Sequence, residues 1–202
     1  MMKIQYPKGV KTQPIASTPK KTTSNYAGRG MKFEAMINES NRYYLSRQQA
    51  VIHKKPTPIR IAHVDYPKRS AAKITEAYFT EASTTDYNGV FAGQYIDFEA
   101  KETKNKTSFP LKNFHQHQIT HMQACQQQGG VCFALLWFAT LHRCFLLPFP
   151  VLASYWQAQK EGRKSIPLRD IEEKGYECQV GLYPTIDYLA AVTKWLQDEE
   201  AI

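Results

Sequence analysis

The 202-residue chain predicts an α/β fold, with helices packed on a mixed central sheet. Three observations carry this: a hairpin pattern from Thr84 to Thr103, an apolar run Val131 to Phe138 that opens after Gly129-Gly130, and helix-forming stretches on either side of both. The length suits one domain with a full core, and no internal repeat interrupts it.

Residues 1 to 28 combine Pro, Ser, Thr, Asn and Lys with few aliphatics, which predicts a disordered basic arm, leaving residues 29 to 202 as the folded domain. Residues 1 to 33 carry Lys3, Lys8, Lys11, Lys20, Lys21, Arg29 and Lys32 with no acid among them. A helix is expected from Met31 to Arg47, with Phe33, Met36, Ile37 and Tyr44 on one side and Glu34 in its first turn, where a carboxylate is favourably placed. Residues 49 to 69 alternate apolar and basic side chains around Pro56, Pro58 and Pro67, which confines them to sheet edges or a protruding ribbon. Lys54, Lys55, Arg60, Lys68 and Arg69 would make that ribbon basic against the lone Asp65: a DNA-contacting surface, or a solvated edge guarded by lysines. Ala71 to Glu81 reads as a short helix-prone piece. Beyond the hairpin, a helix is expected over 113–128, strands over 131–138 and 143–147, and helices over 151–160 and 186–198 around the basic loop Gly162-Arg163-Lys164.

The hairpin concentrates the chemistry. With Ala92-Gly93 as its turn, Phe91 faces Gln94, Tyr87 faces Phe98, and Asp86 comes opposite Glu99. Like charges facing each other destabilise a sheet, so a cation between them makes sense of the pair. Magnesium suits one or two carboxylates plus a substrate phosphate, and Lys101, on the face of Glu99, could neutralise charge at a pentacovalent phosphorus. Asp97 has the same parity as Glu99 and competes for the role, and a turn or bulge at Asn88-Gly89 would swap the faces.

Lys and Arg outnumber Asp and Glu by 26 to 18, which favours a polyanionic partner, a signature shared by ribosome-associated and membrane-surface proteins. Cys125, Cys132, Cys144 and Cys178 lack CxxC spacing and read as reduced, buried thiols. His117 and His121 would share a helix face, but a zinc site there wants third and fourth ligands that the spacing does not offer; Gln118, on the same helix, could hold a metal's water through its amide oxygen. Gly28-Arg29-Gly30 lacks the strand that precedes a dinucleotide loop, and no phosphate-binding loop of an ATP-driven motor is present. With no secretory signal and no membrane-spanning stretch, the expected compartment is the cytoplasm.

The stretches NYAGRGMKFE, VIHKKPTPIRI, VDYPKRSAAKITEAYF, STTDYNGV, YIDFEAKETKNKTSFPLKNFHQHQITHM and GRKSIP, in this order from about Asn25 to about Asp187, together resemble the RecU family of Holliday junction resolvases of Gram-positive bacteria. The resemblance implies a restriction-endonuclease-like (PD-(D/E)xK nuclease) core, a homodimer, and a stalk over about 54–80 that enters a four-way DNA junction. It implies symmetric nicking with magnesium, or manganese in its place, in homologous recombination and repair, by a nucleoid-associated cytoplasmic enzyme. On the family's pattern Thr84, Asp86, Glu99 and Gln118 are metal positions, Asp86, Glu99 and Lys101 are catalytic, and the segment around Arg69 modulates the recombinase RecA. Arg29, Lys54, Lys55, Arg60, Lys68 and Arg69 are the expected DNA contacts. Two places depart from the pattern: AMIN after Glu34, and Thr185 before the C-terminal Ile-Asp-Tyr. A non-catalytic protein that anneals or bridges DNA, and a nuclease acting on ordinary duplex, are the rival readings.

Overall fold

The computed structural model describes residues 27–80 and 84–200, without the side chains of residues 27–32 and of Arg69. The expected arm therefore lies outside the described residues up to position 26, and so do the side chains of Arg29 and Arg69.

Seven strands form the central sheet: β1 (Ala50–Lys54), β4 (Tyr87–Phe91), β5 (Gln94–Thr103), β7 (Val131–Phe138), β8 (Arg143–Pro148), β10 (Tyr176–Val180) and β11 (Ile186–Asp187), in that spatial order. All neighbours are antiparallel except β5 and β7, which run parallel. Parallel strands need a crossover, and here α2 (Gln116–Gln127) supplies it, lying over the two strands it connects.

Strand alternation sorts the side chains onto two faces. Ile96 and Phe98 of β5 join Phe133, Leu135 and Trp137 of β7 under α1 (Ala27–Ser46) and α5 (Tyr188–Glu200), whose Phe33, Ile37, Tyr44, Tyr188, Leu189 and Val192 complete this half of the core. Opposite, Cys132, Ala134, Leu136 and Phe138 meet α2, α3 (Phe149–Ala158) and α4 (Leu168–Lys174) through Ile119, Met122, Leu152 and Ile171. Asp97, Glu99 and Lys101 have the parity of this second face. A short pair, β6 (Ser108–Pro110) with β9 (Ser165–Pro167), buries Phe109 and Ile166 there.

Two details fix the register of the hairpin. Tyr87, Phe98 and Phe133 stack as a ladder across β4, β5 and β7, with ring centroids 4.9 Å apart at each step. Gly89 is neither turn nor bulge: it lies within β4 opposite Ile52, where a Cβ would come 2.1 Å from the Val51 carbonyl oxygen. Only glycine lets β1 approach this closely.

The expected α/β class is what the chain adopts, but three local expectations are corrected. The described part of the stretch Ala71 to Glu81, residues 71–80, holds no α-helix: after a single 3₁₀ turn Arg69–Ala71, β3 (Lys73–Phe79) pairs antiparallel with β2 (Ile59–Asp65) in a two-stranded ribbon separate from the central sheet. The bonds that make KITEAYF a strand come from its distant partner, which overrides the helix-friendly Lys, Glu and Ala. Glu34 is not in the first turn of α1, because the helix begins at Ala27. The C-terminal region also contains α4, β10 and β11, too short to announce themselves by periodicity. Among the described residues, no helix is long and apolar enough to cross a membrane.

Candidate active site

The hairpin forms in the expected register: Phe91 pairs with Gln94, Tyr87 with Phe98, and Ala92 and Gly93 turn the chain at φ of 50° and 79°. Two successive positive φ values give the turn a twist matching that of its strands. Asp86 stands just before β4, and its backbone amide donates to Glu99 Oε2 at 3.2 Å.

Glu99 is wholly buried. Its Oε1 accepts from Lys101 Nζ at 2.8 Å and from Gln118 Nε2 at 2.6 Å, so both carboxylate oxygens are held. Burial pushes this carboxyl up to about 8; Lys101 opposes the shift and the charge of Asp86 adds to it. A divalent cation would relieve both causes, and that chemistry fits the donor set of Asp86 and Glu99 to an oxygen-seeking metal.

Gln118 reaches the site because α2 crosses β5. Its side chain works twice: Oε1 accepts from the backbone amide of His115, closing a capping box, and Nε2 faces Glu99. The atom turned to the site is thus a donor, where the amide oxygen had been expected to face a metal. Thr84 is exposed, and its hydroxyl donates to the carbonyl of Thr85 at 3.3 Å.

The competitor Asp97 builds a second acidic node on the same face of β5. Also wholly buried, it accepts from Lys55 Nζ at 2.7 Å, from the Tyr95 hydroxyl at 2.8 Å and from the Thr85 hydroxyl, and lies 3.2 Å from His121 Nε2. Burial pushes the Tyr95 phenol up to about 12, which keeps it a donor. Spacing in the sequence gave no sign of this node, because its partners come from separate segments.

The basic candidates divide. The Lys55 ammonium turns inward to Asp97 and Thr85, while its backbone amide donates to the Asp86 carbonyl at 2.7 Å. The buried carboxylate attracts it more strongly than solvent does. Lys54 pairs with Glu34 beside the site. Arg60 and Lys68 are exposed on and beside the ribbon, which also exposes Ile59, Ile61, Ile74, Tyr78 and Phe79.

Comparison with known proteins places these residues in a wider set. The family model described as Recombination protein U matches residues 28–194. A "Holliday junction resolvase RecU" of Pediococcus pentosaceus is 54% identical over 204 residues, covering 98% of this chain and all of that protein. The protein of the same name from Streptococcus uberis is 56% identical over 189 residues, 92% of this chain and 93% of its own. Among solved structures, the Hjc Holliday junction resolvase of Archaeoglobus fulgidus aligns at a TM-score of 0.42 and 11% identity, over 73% of this chain and 94% of that one.

Proposed function

The chain belongs to the RecU family, and we propose on that premise that it is a Holliday junction resolvase, an endonuclease cutting branched DNA at the Asp86–Glu99–Lys101 hairpin. The observation that carries the site is the buried Glu99 carboxylate, held at Oε1 by Lys101 and at Oε2 by the amide of Asp86.

Asp86 and Glu99 would hold a divalent cation, with Thr84 and Gln118 as the further positions the family pattern suggests. Magnesium is the cation of choice, and manganese its substitute. Bound there, it would supply Lewis acidity at the scissile phosphate and an activated water. Glu99 sets the position of Lys101, whose ammonium neutralises charge that builds on the non-bridging oxygens as the nucleophile adds. Gln118 keeps the carboxylate from turning, and the wall of α2 excludes bulk water from its inner side.

Two subunits related by a two-fold axis would present two such hairpins to opposed strands, which favours a homodimer and paired nicks. The exposed Leu182 and Tyr183 beside β11 offer apolar surface for such an assembly. The β2–β3 ribbon is the stalk that reads the open junction, through Arg60 and Lys68 on phosphates and its apolar side chains at the unstacked centre. Modulation of RecA through the segment around Arg69 and a nucleoid-associated place in the cytoplasm complete the reading. Both rest on the family pattern.

Cleavage of an end-labelled four-way junction beside a linear duplex of the same sequence, with magnesium and with chelator, tests the proposal. Paired, symmetric, magnesium-dependent nicks in the junction alone are expected. Tight junction binding without nicking would instead make the protein an annealing or bridging factor, and equal cutting of both substrates a general nuclease.

A further inference from the structure

Asp97, His121 and Cys125 take no part in the hydrolysis proposed above, yet they converge. His121 and Cys125 lie four residues apart on α2, hence on one helix face, and that face looks onto Asp97 of β5. The three potential ligand atoms all fall within 4.8 Å of one another: His121 Nε2 is 3.2 Å from Asp97 Oδ2 and 3.5 Å from Cys125 Sγ. Behind them, the buried Cys132 pairs with Asp97 across the β5–β7 ladder, and its thiol interacts with that of Cys125.

This is a donor set unlike that of the catalytic pair. Magnesium and calcium take oxygen ligands and shun sulfur, whereas a thiolate, an imidazole and a carboxylate together suit zinc and its neighbours, which accept four mixed ligands in a tetrahedron. The position also already holds positive charge: Lys55 Nζ sits 2.7 Å from Asp97 Oδ2 and 3.4 Å from His121 Nε2. A flexible lysine stem can withdraw its ammonium when a better cation arrives.

We propose that Asp97, His121 and Cys125, with a water completing the tetrahedron, form a second cation site selective for a soft divalent transition metal of the zinc class, which competes with the Lys55 ammonium. Asp97 is two residues from Glu99 on the same face, and the amide of Lys55 holds the carbonyl of Asp86. Occupation of the site therefore reaches the catalytic hairpin through Lys55.

Cobalt reports on this site, because a thiolate ligand gives Co²⁺ a charge-transfer absorption that oxygen ligands do not. The full chain, reduced with a phosphine and kept in excess magnesium to fill the catalytic position, is titrated with Co²⁺ and then with Zn²⁺. One equivalent of cobalt should develop the sulfur band, and zinc should bleach it. Cys125→Ser should abolish the band, and His121→Asn should weaken cobalt binding at least about tenfold. Lys55→Met should tighten it by about tenfold by removing the competitor, a gain that damage to the fold would not produce. A cobalt complex without the sulfur band, a band that survives Cys125→Ser, or unchanged affinity in Lys55→Met would overturn the proposal.

Discussion

Gln118 Nε2 donates to Glu99 Oε1 across 2.6 Å, joining the crossover helix to the strand that carries Lys101. The same side chain caps its own helix through Oε1, so one residue sets both the start of α2 and the angle of the carboxylate. Gln118→Leu should therefore lower stability by about 1–3 kcal/mol, the cost of leaving a buried polar partner without its hydrogen bond. It should also raise the magnesium concentration for half-maximal cutting by about tenfold. Urea denaturation and a magnesium titration of junction cleavage check the two effects; a stability loss with an unchanged magnesium profile would leave Gln118 as a cap alone.

Removal of Lys101 should separate chemistry from binding. Lys101→Ala is expected to slow cleavage by about 10²- to 10³-fold, the range seen when one donor to developing transition-state charge is deleted. Asp86→Ala and Glu99→Ala should abolish it. Junction affinity measured in chelator by gel shift should persist in all three. Binding and cutting lost together would deny these residues their roles.

The raised Glu99 carboxyl gives a pH dependence of definite sign. In the unfolded chain the group titrates near 4.5, and in the metal-free fold near 8. Between these values the folded protein holds a proton that the unfolded one releases, so the group's contribution to stability is full below about 4.5 and is lost as pH rises through about 8. A cation must displace that proton. Magnesium binding at pH 7 should release protons, and affinity and cleavage should rise with pH until about 8. Calorimetric titration in two buffers of different ionisation enthalpy measures the release, and Glu99→Gln should eliminate it.

How far the sequence reached depends on where each residue's partners lie. The hairpin was legible because its partners are close in the chain: two positive-φ residues at the turn and aromatic alternation on both sides define the register without outside help. The pairing of Glu99 with Lys101 follows from strand parity alone. Asp97 was seen as a competitor, yet its own network was hidden, since Lys55, Thr85 and His121 converge on it only when β1, β4 and α2 pack around β5. Adjacent Lys54 and Lys55 look alike in the sequence, but one pairs with Glu34 and the other turns inward. Strand β3 was misread because its pairing partner lies beyond the ribbon's tip.

Gly89 supports the register at a place where no other residue fits. Gly89→Ala forces a methyl group toward the Val51 carbonyl and the Ile52 Cα, so β1 must move away from β4. The cost should be about 1–3 kcal/mol, typical of overpacking, and would show as a lower urea midpoint. The strain falls three residues from Asp86, so cleavage should decline in the variant even where it remains folded. Full activity at reduced stability would show that the position of β1 does not reach the hairpin.

The ribbon makes the last prediction a matter of salt. Each phosphate neutralised by a lysine or arginine contributes a slope of about −0.9 to the logarithm of affinity against the logarithm of salt concentration. Arg60 lies on β2 and Lys68 just beyond it; both are exposed, and neither forms an ion pair among the described residues. Arg60→Ala and Lys68→Ala should each flatten the slope for junction binding by about one unit while leaving stability unchanged, because neither side chain is packed in the core. The exposed Phe79 should behave differently: Phe79→Ala removes apolar surface, not charge, so it should weaken junction binding while preserving the slope. Gel shifts at several salt concentrations, with junction and linear duplex side by side, separate these contributions. If the ribbon variants weakened both DNAs equally, the ribbon would supply general affinity, and selection of the junction would have to come from the subunit arrangement.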